Sequence, residues 1–214
     1  MSAEASDALG RIVVLNGAPR AGKSSIASAI QETFEEPWMH FGVDVWRRMT
    51  PARYQPGIGL RPGGERPDLE PLIVVWYRAM YDTDAVHSRA GLNVVVDAGH
   101  HDSYSVPRNI LFDCARRLDG LPALFVGVRC PVEVIMARRR EAPDRYVTNS
   151  ADEPVPEPVL RWEREVHRPG IYDLEVDTSR LSSQECAEAI RRRLENPPRP
   201  SALEKLLALA IQAD

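Results

Sequence analysis

The chain has 214 residues, 43% of them apolar and 27% charged, which excludes a disordered or collagen-like polymer and fits one compact domain with room for a small appendage. Lys and Arg number 27 against 31 Asp and Glu, a net charge of −4, so no overall basic field recruits nucleic acid or anionic lipid; a bound anion must be held locally. Three cysteines, Cys114, Cys130 and Cys186, lie far apart with no metal-ligand spacing; they read as buried, reduced thiols and point to the cytoplasm. The N-terminus has no basic segment leading into an apolar run, and no apolar run approaches membrane-spanning length, so neither a secretory signal nor a membrane partner is expected.

Short apolar runs alternate with helical patterns, the sequence form of βα units around a parallel sheet. The predicted strands are Arg11–Asn16, Met39–Val43, Leu92–Asp97, Ala123–Val128 and Tyr172–Val176. Predicted helices fill Lys23–Glu35, Leu69–Arg89, Pro107–Leu118, Pro131–Glu141, Pro156–Val166 and Gln184–Leu194. In the second of these, Leu69, Leu72, Ile73, Trp76 and Met80 form a stripe expected to be buried. Pro107 and Pro131 suit first helical positions, and Ser182 with Glu185 has the spacing of a capping box. Two segments break the alternation: Thr50–Asp68, with four Pro and four Gly, and the proline-rich Ala142–Pro158. Each is a candidate binding loop or lid, or else disordered. The expected division is one α/β domain over residues 1–196, with a lid at about 138–160, and an extension over 197–214. The extension's apolar tail from Ser201 to Ala213 suits a helix that docks or joins copies of the chain into a homo-oligomer.

The chemistry begins at Gly17-Ala18-Pro19-Arg20-Ala21-Gly22-Lys23-Ser24, which fits G-x-x-x-x-G-K-[ST] between a predicted strand and a predicted helix. Glycines let the backbone wrap closely around phosphates, the helix N-terminus faces the anion, Lys23 reaches the outer phosphates and Ser24 suits Mg²⁺. Ser25 completes the candidate nucleotide-binding set. Asp44 follows the second strand at the carboxyl edge of the sheet, where it suits either a base for an attacking hydroxyl or an N-cap of the next short helix. Asp97 closes the third strand and suits a carboxylate orienting Mg²⁺ beside the phosphate loop. Gly99, His100, His101 and Asp102 read as a loop that touches the acceptor or is solvated; zinc lacks a third ligand. Arg138, Arg139, Arg140 and Arg145 cluster where a helix meets the proline-rich loop. Arg139 and Arg140 are expected on a solvated face complementing the helix dipole, and Arg138 and Arg145 on a closing lid. Trp46, Met49, Tyr54, Trp76 and Tyr104 are candidates for an apolar acceptor pocket, Trp76 reading foremost as core.

The segments LNGAPRAGKSSI, EEPWMHFGVDVW, VVVDAGH, LFVGVRCPVE with its trailing arginines, YDLEVDTS and SSQECAEAI together resemble the chloramphenicol phosphotransferase family over about Arg11 to Leu194. The resemblance implies an α/β, P-loop kinase-like three-layer sandwich with a five-stranded parallel sheet. It also implies transfer of the ATP γ-phosphate to a hydroxyl of a small-molecule acceptor, as in antibiotic resistance. It assigns Gly17–Ser24 to ATP, makes Asp44 the base and places Arg138 and Arg145 in the lid. The sequence departs from the family's pattern at Thr50–Leu69, at Ala142 in place of an arginine, and in the tail from Ser201. A P-loop kinase for another metabolite or nucleotide-sugar hydroxyl, or a non-catalytic nucleotide-binding regulator, is the alternative; the base-position Asp44 favours an enzyme.

Overall fold

A computed structural model describes residues 8–55, 66–141 and 148–213. Five strands, β1 (Ile12–Asn16), β2 (Trp38–Gly42), β3 (Asn93–Ala98), β4 (Ala123–Arg129) and β5 (Leu174–Asp177), form one parallel sheet in the order β2-β3-β1-β4-β5. Eight α-helices accompany them among the described residues: α1 (Lys23–Thr33), α2 (Val43–Met49), α3 (Glu70–Arg89), α4 (Ile110–Arg117), α5 (Val132–Glu141), α6 (Glu157–Glu165), α7 (Ser183–Glu195) and α8 (Ala202–Ala213).

The alternation of side chains along β1 separates the two helical layers. Val13 and Leu15 join Ile26 and Ile30 of α1, Val159 of α6 and Ile190 of α7 on one face. Ile12 and Val14 join Met80 and Tyr81 of α3, Cys114 of α4 and Leu203 and Leu206 of α8 on the other. These four apolar side chains of β1 are fully buried, and each contributes on the order of 1.5–3 kcal/mol to folding. The two-sided burial explains why the strands read as continuous apolar runs.

Local chemistry sets the boundaries. Ser182 accepts the Glu185 N–H while the Glu185 carboxylate accepts the Ser182 N–H, completing the expected capping box. Pro131 leads directly into α5, where its carbonyl accepts from Val134 and Ile135. Pro107 does not begin a helix: α4 starts at Ile110, because Asp102 accepts the backbone N–H groups of Arg108 and Asn109 and holds that stretch as a loop. The tail docks: Asp173 accepts from Phe125 N–H through one carboxylate oxygen and from Ala202 N–H through the other. That bridge staples α8 to β4 while Ala202, Leu203 and Leu206 are buried. Cys114, Cys130 and Cys186 are buried free thiols, as expected.

Candidate active site

The site is assembled at the carboxyl ends of β1, β2 and β3. Between β1 and α1 the phosphate loop turns through two residues of positive φ, Arg20 at 72° and Gly22 at 99°. A side chain at Gly17 would meet the Val128 carbonyl at 2.5 Å, so this loop lies against the sheet edge only because Gly17 has none. The first turn of α1 has no side-chain cap and no acidic residue; its backbone N–H groups and positive dipole end are free to serve an anion.

Lys23, from that first turn, folds back so that its Nζ donates to the carbonyls of Gly17 at 2.7 Å and Ala18 at 2.9 Å. Burial pushes its pKa down to about 8, although Asp97 and Asp44 both favour its charged form. A half-buried ammonium facing mainly carbonyl dipoles is poised for a stronger anionic partner.

Ser24 Oγ donates to Asp97 Oδ2 at 2.6 Å. Asp97 is paired in register with Leu15 of β1 on one side and Gly42 of β2 on the other, and His40 Nε2 lies 3.7 Å from its Oδ1. Burial pushes the Asp97 carboxyl up, but His40, Lys23 and Ser24 together outweigh it and hold the group ionised below the usual range. The packing is tight: a Cβ at Gly42 would fall 1.8 Å from Asp97 Oδ1. Hydroxyl and carboxylate stand together beside the lysine, the donor set suited to Mg²⁺ shared with phosphates. Among the described residues no three His, Cys, Asp or Glu side chains group as an all-protein metal cage.

Asp44 lies two residues beyond Gly42, in the first turn of α2. It is not the N-cap; Gly42 occupies that position, and no side chain caps the helix. Asp44 therefore lacks the capping engagement that its sequence position also suggested, and it faces a cavity of about 630 Å³ that it shares with Lys23, Ser24 and Asp97.

Several candidates change environment. Arg138 lines the cavity, but its guanidinium is already engaged. It donates to Thr178 Oγ1 at 3.1 Å, to the Thr178 carbonyl at 2.8 Å and to the Arg20 carbonyl at 3.2 Å, while Arg20 Nη2 donates back to the Arg138 carbonyl. In this arrangement Arg138 braces the phosphate loop against α5 and the end of β5. Arg145 lies outside the described residues, as do residues 142–147 of the expected lid and 56–65 of the other irregular segment. Arg139 is wholly buried rather than on a solvated face, whereas Arg140 is exposed; α5 packs against α6 and leaves only part of its circumference to water.

His100 and His101 are also buried, not solvated. His100 turns inward, with Nε2 2.5 Å from the Tyr81 hydroxyl, while its backbone N–H donates to Asn16 Oδ1. Burial, reinforced by His101, pushes its pKa down to about 3, so it stays neutral. His101 turns the other way, to the cavity, against Tyr104 and Trp162 with ring centroids 4.4 and 4.8 Å distant. Of the residues expected to line an apolar acceptor pocket, Trp46, Trp76 and Tyr104 line the cavity; Met49 and Tyr54 do not. Trp76 is half-buried on that wall rather than core. The sequence reading did not single out Arg47, Tyr77, Trp162 or Thr178, all of which line the cavity. Trp162 packs in the core with Val159 and Val166, and it reaches the site because Gly99 leaves room; a Cβ there would be 3.0 Å from its ring.

A family model described as chloramphenicol phosphotransferase-like protein matches residues 10–195, which contain the phosphate loop, both strand-end carboxylates and the arginine cluster. The chain belongs to that family. A Mycobacterium tuberculosis relative provisionally named an O-phosphotransferase is 27% identical over 92% of this chain and 88% of its own length. Among solved structures, shikimate kinase from Acinetobacter baumannii in complex with shikimate aligns with TM-score 0.58 and 15% identity, covering 89% of this chain and 96% of that one. The Mycobacterium tuberculosis APS kinase in complex with AMPPNP and APS aligns with TM-score 0.55 and 17% identity over 88% and 99%. At such identities the likeness establishes the P-loop kinase fold, and the expectations of family and fold both stand. Among the described residues no helix is long and apolar enough to cross a membrane.

Proposed function

We propose that this phosphotransferase moves the γ-phosphate of ATP to a hydroxyl group of a small molecule. The observation that carries the reading is the single cavity joining the phosphate loop and Lys23 to Asp44 and an aromatic chamber beyond it. A nucleotide-binding regulator needs neither a carboxylate at that edge nor an acceptor chamber. The family membership and the kinase neighbours, one of them holding an ATP analogue, support the same reading.

In this mechanism the backbone N–H groups of residues 17–24 and the α1 N-terminus hold the phosphates, and Lys23 exchanges its two carbonyl contacts for them. Ser24 and Asp97 would hold Mg²⁺, which when bound supplies neutralisation of charge on the phosphate oxygens. Asp44 accepts the proton of the acceptor hydroxyl as its oxygen bonds to the γ-phosphorus. The bond from that phosphorus to the β,γ-bridging oxygen breaks, and ADP leaves with the electron pair. Arg138 keeps the loop in shape, and Arg145 from the lid is assigned to the transferring group, excluding water from competing with the acceptor. Chloramphenicol is the first acceptor to try, on family grounds. The test is a mass-spectrometric screen of hydroxylated antibiotics and metabolites for ATP-dependent products heavier by one phosphoryl group. Phosphorylated product is expected with wild type and not with Lys23→Ala; absence of product across the screen would overturn the reading.

A further inference from the structure

Among the described residues four Lys and Arg side chains line the cavity: Arg20, Lys23, Arg47 and Arg138. Three have fixed engagements. Lys23 is held by loop carbonyls, and Arg20 and Arg138 hold each other's backbone carbonyls across the loop. Arg47 is different. Among the described residues its guanidinium makes no hydrogen bond and no ion pair, although its own carbonyl accepts from Thr50 and Gln55. It stands three residues after Asp44 on α2, the spacing that puts two side chains on one helix face about 5–6 Å apart at Cβ. Even so, no Asp44–Arg47 ion pair forms, and both residues line the cavity. Trp46 of α2 and Ile73 and Trp76 of α3 contribute apolar surface to the same cavity.

From this juxtaposition we infer that Arg47 is the specificity-determining residue for an acceptor that carries a carboxylate or another anionic group within a few ångströms of the hydroxyl facing Asp44. An arginine fork matches a carboxylate bidentately, and apolar surroundings strengthen the pairing. A base and an anion clamp one helical step apart would align the hydroxyl with the γ-phosphate by fixing the acceptor at two points. Arg48, the neighbouring cation in the same last turn, is exposed and absent from the cavity wall; complementing the helix dipole explains Arg48 but not why Arg47 faces the site. The inference rests on the phosphotransferase reading and narrows its acceptor, ranking anionic hydroxyl compounds above neutral chloramphenicol.

The experiment uses the full chain with radiolabelled ATP and matched probes: tropate against tropamide, 4-(hydroxymethyl)benzoate against 4-(hydroxymethyl)benzamide, and chloramphenicol. Phosphoryl transfer to at least one acid should exceed transfer to its amide by about tenfold or more in kcat/KM, the ratio expected when one charge-assisted pair is lost. Arg47→Ala should raise KM for that acid by about 10- to 100-fold with a smaller fall in kcat from the lost alignment, and Arg47→Lys should restore part of the loss. A helix-dipole role would instead lower the melting temperature and leave KM alone. Equal use of acid and amide, transfer to chloramphenicol but to neither acid, or an unchanged KM in Arg47→Ala would overturn the assignment while leaving the phosphotransferase reading intact. Transfer to no probe, with ATP binding retained, would overturn the anionic-acceptor assignment; the phosphotransferase reading is decided separately by the wider screen for phosphorylated product.

Discussion

Gly42 and Asp97 sit side by side on β2 and β3 with no room for a methyl group between them: a Cβ on Gly42 would stand 1.8 Å from Asp97 Oδ1. The absence of a side chain at the end of one strand therefore fixes the carboxylate at the end of the next, and Asp97 in turn holds Ser24.

Gly42→Ala should consequently act on function through Asp97. The displaced carboxylate would leave Ser24, and overpacking of this kind costs about 1–3 kcal/mol of stability. Turnover should fall by at least about tenfold at saturating ATP, because a carboxylate displaced by one ångström loses much of its positioning role. Activity titrated against Mg²⁺, alongside thermal melting, checks this: a variant with wild-type Mg²⁺ dependence would show that Asp97 is not held by this contact.

Lys23 gives a pH signature. Its pKa of about 8 in the nucleotide-free protein means that it is charged below that value and increasingly neutral above it. Phosphates bind the ammonium form, so above about pH 8 binding must include proton uptake, and ATP affinity should weaken by up to about tenfold per pH unit. Between about 8 and 10.5 the unfolded chain binds the extra proton, so the stability of the nucleotide-free protein rises with pH through that window. Lys23→Met removes both effects, abolishes turnover and leaves the nucleotide-free protein at least as stable at pH 7. Nucleotide displacement titrations from pH 7 to 9.5 supply the measurement.

Much of this site was legible because its chemistry is local. A phosphate loop needs glycines and a lysine at fixed spacing, and strand-end acids follow apolar runs, so Gly17–Ser24, Asp44 and Asp97 could be placed from the sequence alone. The brace at Arg138 could not. Its partners Arg20 and Thr178 lie 118 and 40 residues away, and nothing at those positions announces the pairing. The burial of Arg139 and the arrival of Trp162 under Gly99 depend likewise on how α5 and α6 pack, a tertiary outcome that helical periodicity reads only as charge run or core.

Asp84 of α3 is fully buried, and neither carboxylate oxygen has a hydrogen-bond partner among the described residues. Burial pushes its pKa up to about 8 from 3.8. Between these values the native state binds the extra proton, so stability falls as pH rises through the window, by up to about 1.4 kcal/mol per unit. Asp84→Asn should remove that slope and make the variant the more stable protein at pH 8, as judged by urea unfolding at pH 6 and 8. A parallel pH response in both proteins would show that Asp84 ionises freely in the fold.

The decisive variant for the chemistry is Asp44→Asn. Asp44 caps no helix and is exposed to the cavity, so the amide replaces a carboxylate of nearly the same shape at little structural cost. A surface substitution of this kind changes stability by within about 0.5 kcal/mol. A general base contributes about 10² to 10⁴ in rate, equivalent to about 2.7–5.4 kcal/mol in the barrier. The two scales are far enough apart to separate the roles: turnover should collapse while the melting temperature and ATP affinity stay near wild type. Asp44 also favours the charged form of Lys23, so the variant should lower the pH above which ATP affinity weakens, a second signature from the same titrations. Full acceptor turnover in the Asn variant would remove Asp44 from the proton transfer, and a collapse of ATP affinity at pH 7 would move it to the nucleotide site.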